Sequence, residues 1–468
     1  MIHLNNFKYL QTPKIKPNLD VHFKPASLAI LAFENAVKKV EGHVKATIGI
    51  LRHHEQIAIF ETVLFPETHE DFEENFFFLE RLIKSLLWIK GGYEVLFKGP
   101  KKAGEHLQRV YQHGGHRDFD VRFMERIYEK PFRIHLLTEE EKLIAYEETE
   151  PIGRNLEGYR IGFDAGGSDR KVSAVINGEA IYSEEVVWHP KINSDPQYHI
   201  DGIKDSMLRA ASKMPRVDAI GVSSAGVYID NQAMVASLFR QVPDHLYSKY
   251  IKNIYLDIAK DMGDVPIEVA NDGDVTALAG AMSLNDNQVL GIAMGTSQAV
   301  GYVDADGHIT GWLNELAFVP VDFYSGAEVD EWSLDFGVGV SYFSQDAVIK
   351  LAPEAGITLD PNISPADRLK IVQDLVIKKH QGALDIFKTI GIYLGYALGF
   401  YDRFYQMKHV LILGRVTSGV GGDLIIKWAK KVLETEFPQL AKTINLQLPD
   451  EKSRRVGQSI AAASLPKI

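Results

Sequence analysis

The sequence predicts an α/β protein in which two similar sheet units follow a separate N-terminal α/β domain, and three observations lead to it. Three β-rich runs, 159–164, 172–176 and 180–187, follow one another across short turns, and a helical stretch near 199–213 and a fourth strand at 219–223 come next. A three-strand meander, a helix and a further strand open a ribonuclease-H-like unit. The pattern starts again at Val289 with LGIAMGTSQAVGYV, a turn at Asp306-Gly307 and HITGW as its third strand. Between the N-terminal part and these units, EETEPIGRNLEG at 147–158 is polar and carries proline and glycine, as domain boundaries do. Charge changes across it: residues 1–156 hold 22 Lys/Arg against 23 Asp/Glu, whereas 157–468 hold 29 against 39, so the net charge of −11 sits almost wholly in the C-terminal two-thirds.

Composition narrows the chemistry. A chain of 468 residues can hold several domains, each with its own core. Without cysteine it forms no disulfide, no cysteine zinc site and no catalytic thiol. The acidic balance argues against nucleic acid as a partner, because phosphate-backbone binding rests on clustered Lys and Arg. The start, MIHLNNFKYLQTPKIKP, has scattered lysines and no apolar run of leader length, which gives the expectation of a cytoplasmic protein with no membrane partner. The most apolar stretch, 389–401, has only 13 residues without charge, against the roughly 20 that cross a bilayer, and reads as a buried helix. Gly391, Gly395 and Gly399 share one face of that helix; core packing is the first reading of the face and a homodimer contact the second.

The N-terminal elements follow from local pattern. Pro13, Pro17 and Pro25 predict an extended arm over 1–25, and Leu28, Leu31, Ala32, Val37 and Val40 predict a helix over 26–42. KATIGILR at 45–52 and IAIFETVLF at 57–65 flank HHEQ as a hairpin; 72–89 is a long apolar helix, YEVLF at 93–97 a strand and 101–112 a helix. IAIFETVLFPE resembles EAIYSEEVVWHP, which raises an internal repeat of 45–97 with 159–223; convergent hairpin chemistry is the alternative. Later come helices near 344–351, 365–380 and 385–406, and HVLILG at 409–414, a buried strand closed by glycine.

Chemistry concentrates at strand ends. In DAGGSDRK (164–171), consecutive glycines let backbone N–H groups cradle a phosphate, Ser168 adds a hydroxyl and Asp164 suits hydrated Mg2+; a plain hairpin turn is the alternative. Gly295-Thr296-Ser297 again follows an apolar strand, so two such turns would clamp a polyphosphate. Asn271-Asp272 closes the strand of IEVANDGDVTALAGA (267–281), before a helix starting near Asp274, whose carboxylate suits an N-terminal cap. Asp272 at a cleft edge can take a proton from an attacking hydroxyl, the general-base role in phosphoryl transfer; a simple strand-to-helix turn is the alternative.

Together these segments resemble the actin-like ATPase and sugar kinase superfamily and, within it, the ROK family of repressors, open reading frames and sugar kinases. YRIGFDAGGSDRKVSAV resembles its first phosphate loop, AIGVSSAGVYID (219–230) its GIGIPGPVD segment, VANDGDVTALAGA its NDANAAALGE segment and MGTSQAVGYV its second phosphate loop. ITGWLNELAF (309–318) resembles its AGEIGH stretch, VLILGRVTSG (410–419) its IGGGVS turn and RRVGQSIAAASL (454–465) its closing helix, all in order over 159–468. The resemblance implies two actin-like lobes around a central cleft, 156–275 with 453–468 and 276–452, and an accessory domain at 1–155. It also implies ATP and Mg2+ as cofactors and a sugar or sugar derivative as acceptor. Asp272 becomes the catalytic base, and Asn271, Glu315, Phe318, Ser224 and Gly226 become acceptor contacts. Gly166, Gly167, Ser168, Lys171, Gly295, Thr296 and Ser297 become phosphate contacts, Gly414 and Arg415 flank the nucleoside, and Asp164 holds Mg2+ through water.

Departures matter equally. The family's His after AGEIG is Phe318, which stacks but forms no hydrogen bond, and the CxCGxxGCxE zinc loop has no counterpart. Its last Glu aligns with Val340, with Asp330, Glu331 or Asp335 as replacement carboxylates. Two readings therefore stand: a sugar kinase, or a sugar-sensing regulator on a retired kinase fold. Outside these motifs, ten of sixteen histidines lie in 1–156, among them His53-His54, His113 and His116, and read as solvated surface rather than metal ligands. Lys98, Lys101, Lys102, Arg117, Arg122 and Arg126 form the one basic concentration, a solvated face first and an anion site second.

Overall fold

The computed structural model describes residues 7–147, 152–449 and 451–468, with only the backbone of 451–456. The first lobe holds a five-stranded sheet in the order Ile267–Asn271, Ala219–Ser224, Tyr159–Ala165, Asp169–Ile176, Glu179–Val187. The first three strands are parallel and the last two close the antiparallel meander, as the sequence pattern predicts. The period of two explains what covers each face. Ile161, Phe163, Ile220 and Val222 share a core with Ile203, Met207 and Ala210 of the helix Pro196–Ala211. The intervening Gly162 and Gly221 lie against the helix Glu451–Ala463, so close that a Cβ on Gly221 would meet the Ala462 carbonyl.

The second lobe has four strands in the order Gln298–Val303, Val289–Met294, His409–Leu413, Asn445–Gln447. The third meander strand expected at HITGW does not form: Ile309 makes one isolated bridge to Val303. Beyond it, the Asn314 and Glu315 N–H groups donate to the carbonyls of Ile89 and Trp88, at 3.0 and 2.9 Å. Those carbonyls end the helix Glu74–Lys90, where the last turn has no partners of its own, and they draw the segment away from the sheet.

Helix Gln381–Tyr401 is long and apolar enough to cross a membrane, but 78% of its apolar window is buried inside this chain. Its glycine face is used internally. A Cβ on Gly391 would lie 2.6 Å from the Ile425 carbonyl and one on Gly395 2.8 Å from that of Ala429, both on the helix Val420–Glu436. Core packing therefore accounts for this face.

The N-terminal sheet runs Ile57–Leu64, Val44–Leu51, Glu94–Lys98, Arg133–Leu136. Glu94–Lys98 is antiparallel to Val44–Leu51, whereas Ala219–Ser224 is parallel to Tyr159–Ala165. The echo between the two regions is thus not a ribonuclease-H repeat; shared hairpin chemistry produced it. Nor do the N-terminal residues form a body with a core of their own. One hydrophobic core runs from Phe33, Leu82 and Trp88 into Leu316, Tyr342, Phe387 and Tyr393 of the second lobe. The proline-rich arm does lie over other elements: Phe7 stacks on Phe77 at 4.7 Å, and the Tyr393 hydroxyl donates to Asp20 at 2.6 Å. Of the expected boundary at 147–158, residues 148–151 lie outside the described residues, as do 1–6 of the arm. The divisions expected at 275/276 and 452/453 fall inside the continuous helices Asp272–Leu284 and Glu451–Ala463. The first of these helices joins the lobes: Val275, Leu278 and Ala281 pack with Val289 and Leu411 on one side and Ala461 and Ala462 on the other.

Candidate active site

Three parallel strands end together in the first lobe, with Asp164 opposite Ser223, and Ser224 between Ala165 and Asn271. Strands stand about 4.8 Å apart, so the backbone ends at Asp164 and Asn271 are separated by about 10 Å. Asp164 is buried; one of its oxygens accepts from the Ser223 hydroxyl at 2.9 Å, and the other accepts no hydrogen bond among the described residues. Burial pushes its carboxyl up to about 6, with Lys171 pulling down and Asp272 and Asp169 pushing up.

Asp272 opens its helix. Asn271 is the cap, its Oδ1 accepting from the Gly273 N–H at 2.8 Å, so the capping role expected of Asp274 belongs to a residue three positions earlier. Asp274 instead points inward, accepting from the Tyr302 N–H at 3.2 Å and the Asn314 amide at 3.0 Å, and burial raises it to about 7. Burial also raises Asp272, opposed by the Gly273 N–H and by the Lys191 charge. Glu315 is raised to about 7 by burial and then by the charges of Asp272 and Asp274. A buried carboxylate with a raised pKa is a better proton acceptor than an exposed one.

Both glycine turns face outward. Gly167 and Ser168 are exposed between Tyr159–Ala165 and Asp169–Ile176, and Thr296 and Ser297 are exposed between Val289–Met294 and Gln298–Val303. Lys171 ion-pairs with Asp169 at 2.9 Å. Gly414 has φ of 100° and packs on the end of the neighbouring strand at Met294, which sets the Arg415–Thr417 turn beside Gly295. Arg415 helps to hold the Asp169 carboxyl below its ordinary value, so charges from both lobes meet at the first glycine turn.

The expected acceptor contacts are partly engaged elsewhere. Ser224 is buried between two tyrosines, accepting from Tyr228 at 2.6 Å and bonded to Tyr255 at 2.9 Å. The Asn271 amide donates to the Gly226 carbonyl at 2.8 Å. Phe318 packs on Trp88 at 4.3 Å and near Phe119 at 5.7 Å, inside an aromatic cluster supplied by the N-terminal region. Asp335, a candidate replacement carboxylate, is buried and held by Arg81 at 2.7 Å, Arg117 at 2.8 Å and Lys84 at 3.3 Å. Asp330 accepts from Ser333 within its own loop. The basic concentration likewise disperses into pairs: Arg117 joins the buried network, Arg122 pairs with Asp118 and Lys102 with Glu67.

Beyond Asn271 lies a cavity of about 230 Å³, lined by Gly226, Tyr228, Asn271 and Trp312 and by His53, Gln56 and Tyr128 of the N-terminal region. Among the described residues, His53 Nδ1 and Gln56 Oε1 have no hydrogen-bond partner, and burial lowers the His53 imidazole to about 4. Sequence reasoning read His53 as solvated surface and left out Gln56, Tyr128 and Lys191. Nothing local marks them, since each acquires its place through contacts with distant chain.

No family model matches the sequence, and no curated protein matches it either. Solved structures do. A ROK hexokinase from Thermus thermophilus superposes with a TM-score of 0.51 at 14% identity, over 66% of this chain and 98% of the hexokinase. A ROK family transcriptional regulator, a homologue of the E. coli MLC protein, gives 0.52 at 15% identity, over 66% of this chain and 79% of the regulator. Two-thirds of the chain thus suffices to match nearly the whole hexokinase, and the remaining third is additional to it. The protein has the two-lobed fold of the ROK sugar kinases and regulators.

Proposed function

We propose that the protein transfers the terminal phosphoryl group of ATP to a hydroxyl of a sugar or sugar derivative, with Asp272 as general base. The observation that carries this reading is the presence of two carboxyl groups with raised pKa, the buried Asp164 and the half-buried Asp272, at the ends of the strands that flank Ala219–Ser224. Asp272 takes the proton as the acceptor oxygen attacks the terminal phosphorus, and Glu315 and Asn271 orient the acceptor's other hydroxyls. The N–H groups of Gly166 and Gly167 and the turn at 295–297 hold the phosphates, while Gly414 and Arg415 flank the nucleoside. Mg2+ fits this donor set, because it needs only one or two carboxylates besides phosphate oxygens and water, and Asp164 keeps one oxygen unengaged. When bound, the ion supplies charge neutralisation along the phosphates.

His53, Gln56 and Tyr128 wall the acceptor side with groups that a neutral polyhydroxylated ring satisfies. A second reading, a sugar-binding regulator without transfer, is favoured by Phe318, which packs in an aromatic cluster where the family has a hydrogen-bonding His. The experiment that separates them is ATP consumption with Mg2+ across hexoses, N-acetylated amino sugars and polyols, for the protein and its Asp272→Asn variant. Acceptor-dependent turnover lost in the variant establishes transfer. Acceptor binding without turnover establishes the regulator.

A further inference from the structure

Backbone N–H groups alone leave much of a triphosphate's charge unmatched, and a glycine turn that binds one needs cations around it. Two of the cations near the 166–168 turn are already committed: Lys171 pairs with Asp169, and Arg415 acts on the same carboxylate. A third, Lys191, has no ion pair and no side-chain hydrogen bond among the described residues.

Lys191 is not there by chance of a flexible side chain alone, because the segment that carries it is fastened to the turn. Trp188 is 1% exposed; its ring N–H donates to the Gly166 carbonyl at 2.8 Å and its backbone N–H to the Ser168 carbonyl at 3.1 Å. The chain then makes one tight helical turn, Pro190–Ile192, with the Asn193 N–H on the Pro190 carbonyl at 3.3 Å. Arg240 donates to the Lys191 carbonyl at 3.3 Å, fixing the backbone from the other side. The outcome is an ammonium directly over the turn: a Cβ built on Gly167 would stand 2.9 Å from Lys191 Nζ. The same charge reaches Asp272 across the cleft.

We propose that Lys191 is a phosphate-contacting residue, its ammonium binding the terminal phosphate of a nucleoside triphosphate between the Gly167 turn and Asp272. This rests on the phosphoryl-transfer reading above and adds a residue to it. In the step it serves, a bond forms between the acceptor oxygen and the terminal phosphorus, and the bond from that phosphorus to the bridging oxygen breaks. The electron pair leaves with the nucleoside diphosphate, and the acceptor's proton goes to Asp272. Lys191 stays protonated throughout and neutralises the charge gathering on the transferred group. A side chain at Gly167 would push the ammonium off the turn.

The test compares the full chain with Lys191→Met and Lys191→Arg, measuring MgATP affinity by calorimetry and acceptor-dependent ATP consumption, with circular dichroism to verify folding. Lys191→Met should weaken MgATP at least tenfold and lower kcat by about 10²–10³ with the acceptor KM unchanged, and Lys191→Arg should recover part of both. Turnover by the parent protein, with MgATP affinity and kcat untouched in Lys191→Met, overturns the contact and leaves the transfer reading standing. MgATP binding that depends on Lys191 without any turnover supports the contact and removes the transfer reading. A parent protein that binds no MgATP overturns both.

Discussion

Arg81 and Asp335 form an ion pair at 2.7 Å with both side chains buried, although 254 residues separate them. Arg81 lies on the helix Glu74–Lys90 of the N-terminal region and Asp335 in a loop of the second lobe, where Lys84 and Arg117 converge on the same carboxylate. Removing one member of such a group leaves the others buried and uncompensated. Asp335→Ala should therefore cost about 3–5 kcal/mol in urea denaturation; an unchanged midpoint would show that the network is not what joins the two parts.

The shared core makes a second expectation. A chain starting at residue 152 would expose Leu316, Tyr342 and Phe387 where they now pack with Phe33, Leu82 and Trp88. It should lose cooperative unfolding and near-ultraviolet dichroism. A truncated chain that melts as the parent does would contradict this.

The stability that Asp274 contributes should fall as pH rises from about 4 to about 7, against the opposite slope of His53. Asp274 ionises near 7 in the folded chain against about 3.9 unfolded, so the folded state binds more protons across that window. The stabilisation is complete below the unfolded value and lost as pH passes the folded one, a change on the order of 1 to 4 kcal/mol. Asp274→Asn keeps an acceptor for the Tyr302 N–H and should flatten the slope, as melting curves at pH 5 and pH 8 will show; a slope equal to the parent's contradicts the assignment.

The cavity wall contributed by the N-terminal region should tune the acceptor alone. Gln56→Ala should raise the acceptor KM about tenfold, the loss of one hydrogen bond in a buried site, and leave the KM for ATP unchanged. Equal effects on both substrates would place the residue outside the acceptor side.

What was legible in the sequence was what neighbouring residues decide together. The 159–187 meander, the glycine turns and Asn271-Asp272 at a strand end are set by alternation, turn chemistry and capping within a few residues, and they stand where expected. HITGW looked like a strand for the same local reasons, but the open carbonyls of Trp88 and Ile89 took the segment that follows it. Phe318 looked like a wall of the acceptor site and Asp335 like a substitute ligand, since nothing near either residue in sequence announces Trp88, Phe119 or Arg81. Lys191 went unseen because its place depends on Trp188 reaching back to Gly166, a contact that the spelling WHPKIN does not encode.

The most direct measurement is acceptor-dependent ATP consumption by the parent protein and by Asp272→Asn, with MgATP affinity followed in both. Turnover that drops by about 10²–10⁴ in the variant while MgATP binding persists is the predicted result. Turnover that survives the substitution would contradict the role of Asp272 at the end of its strand.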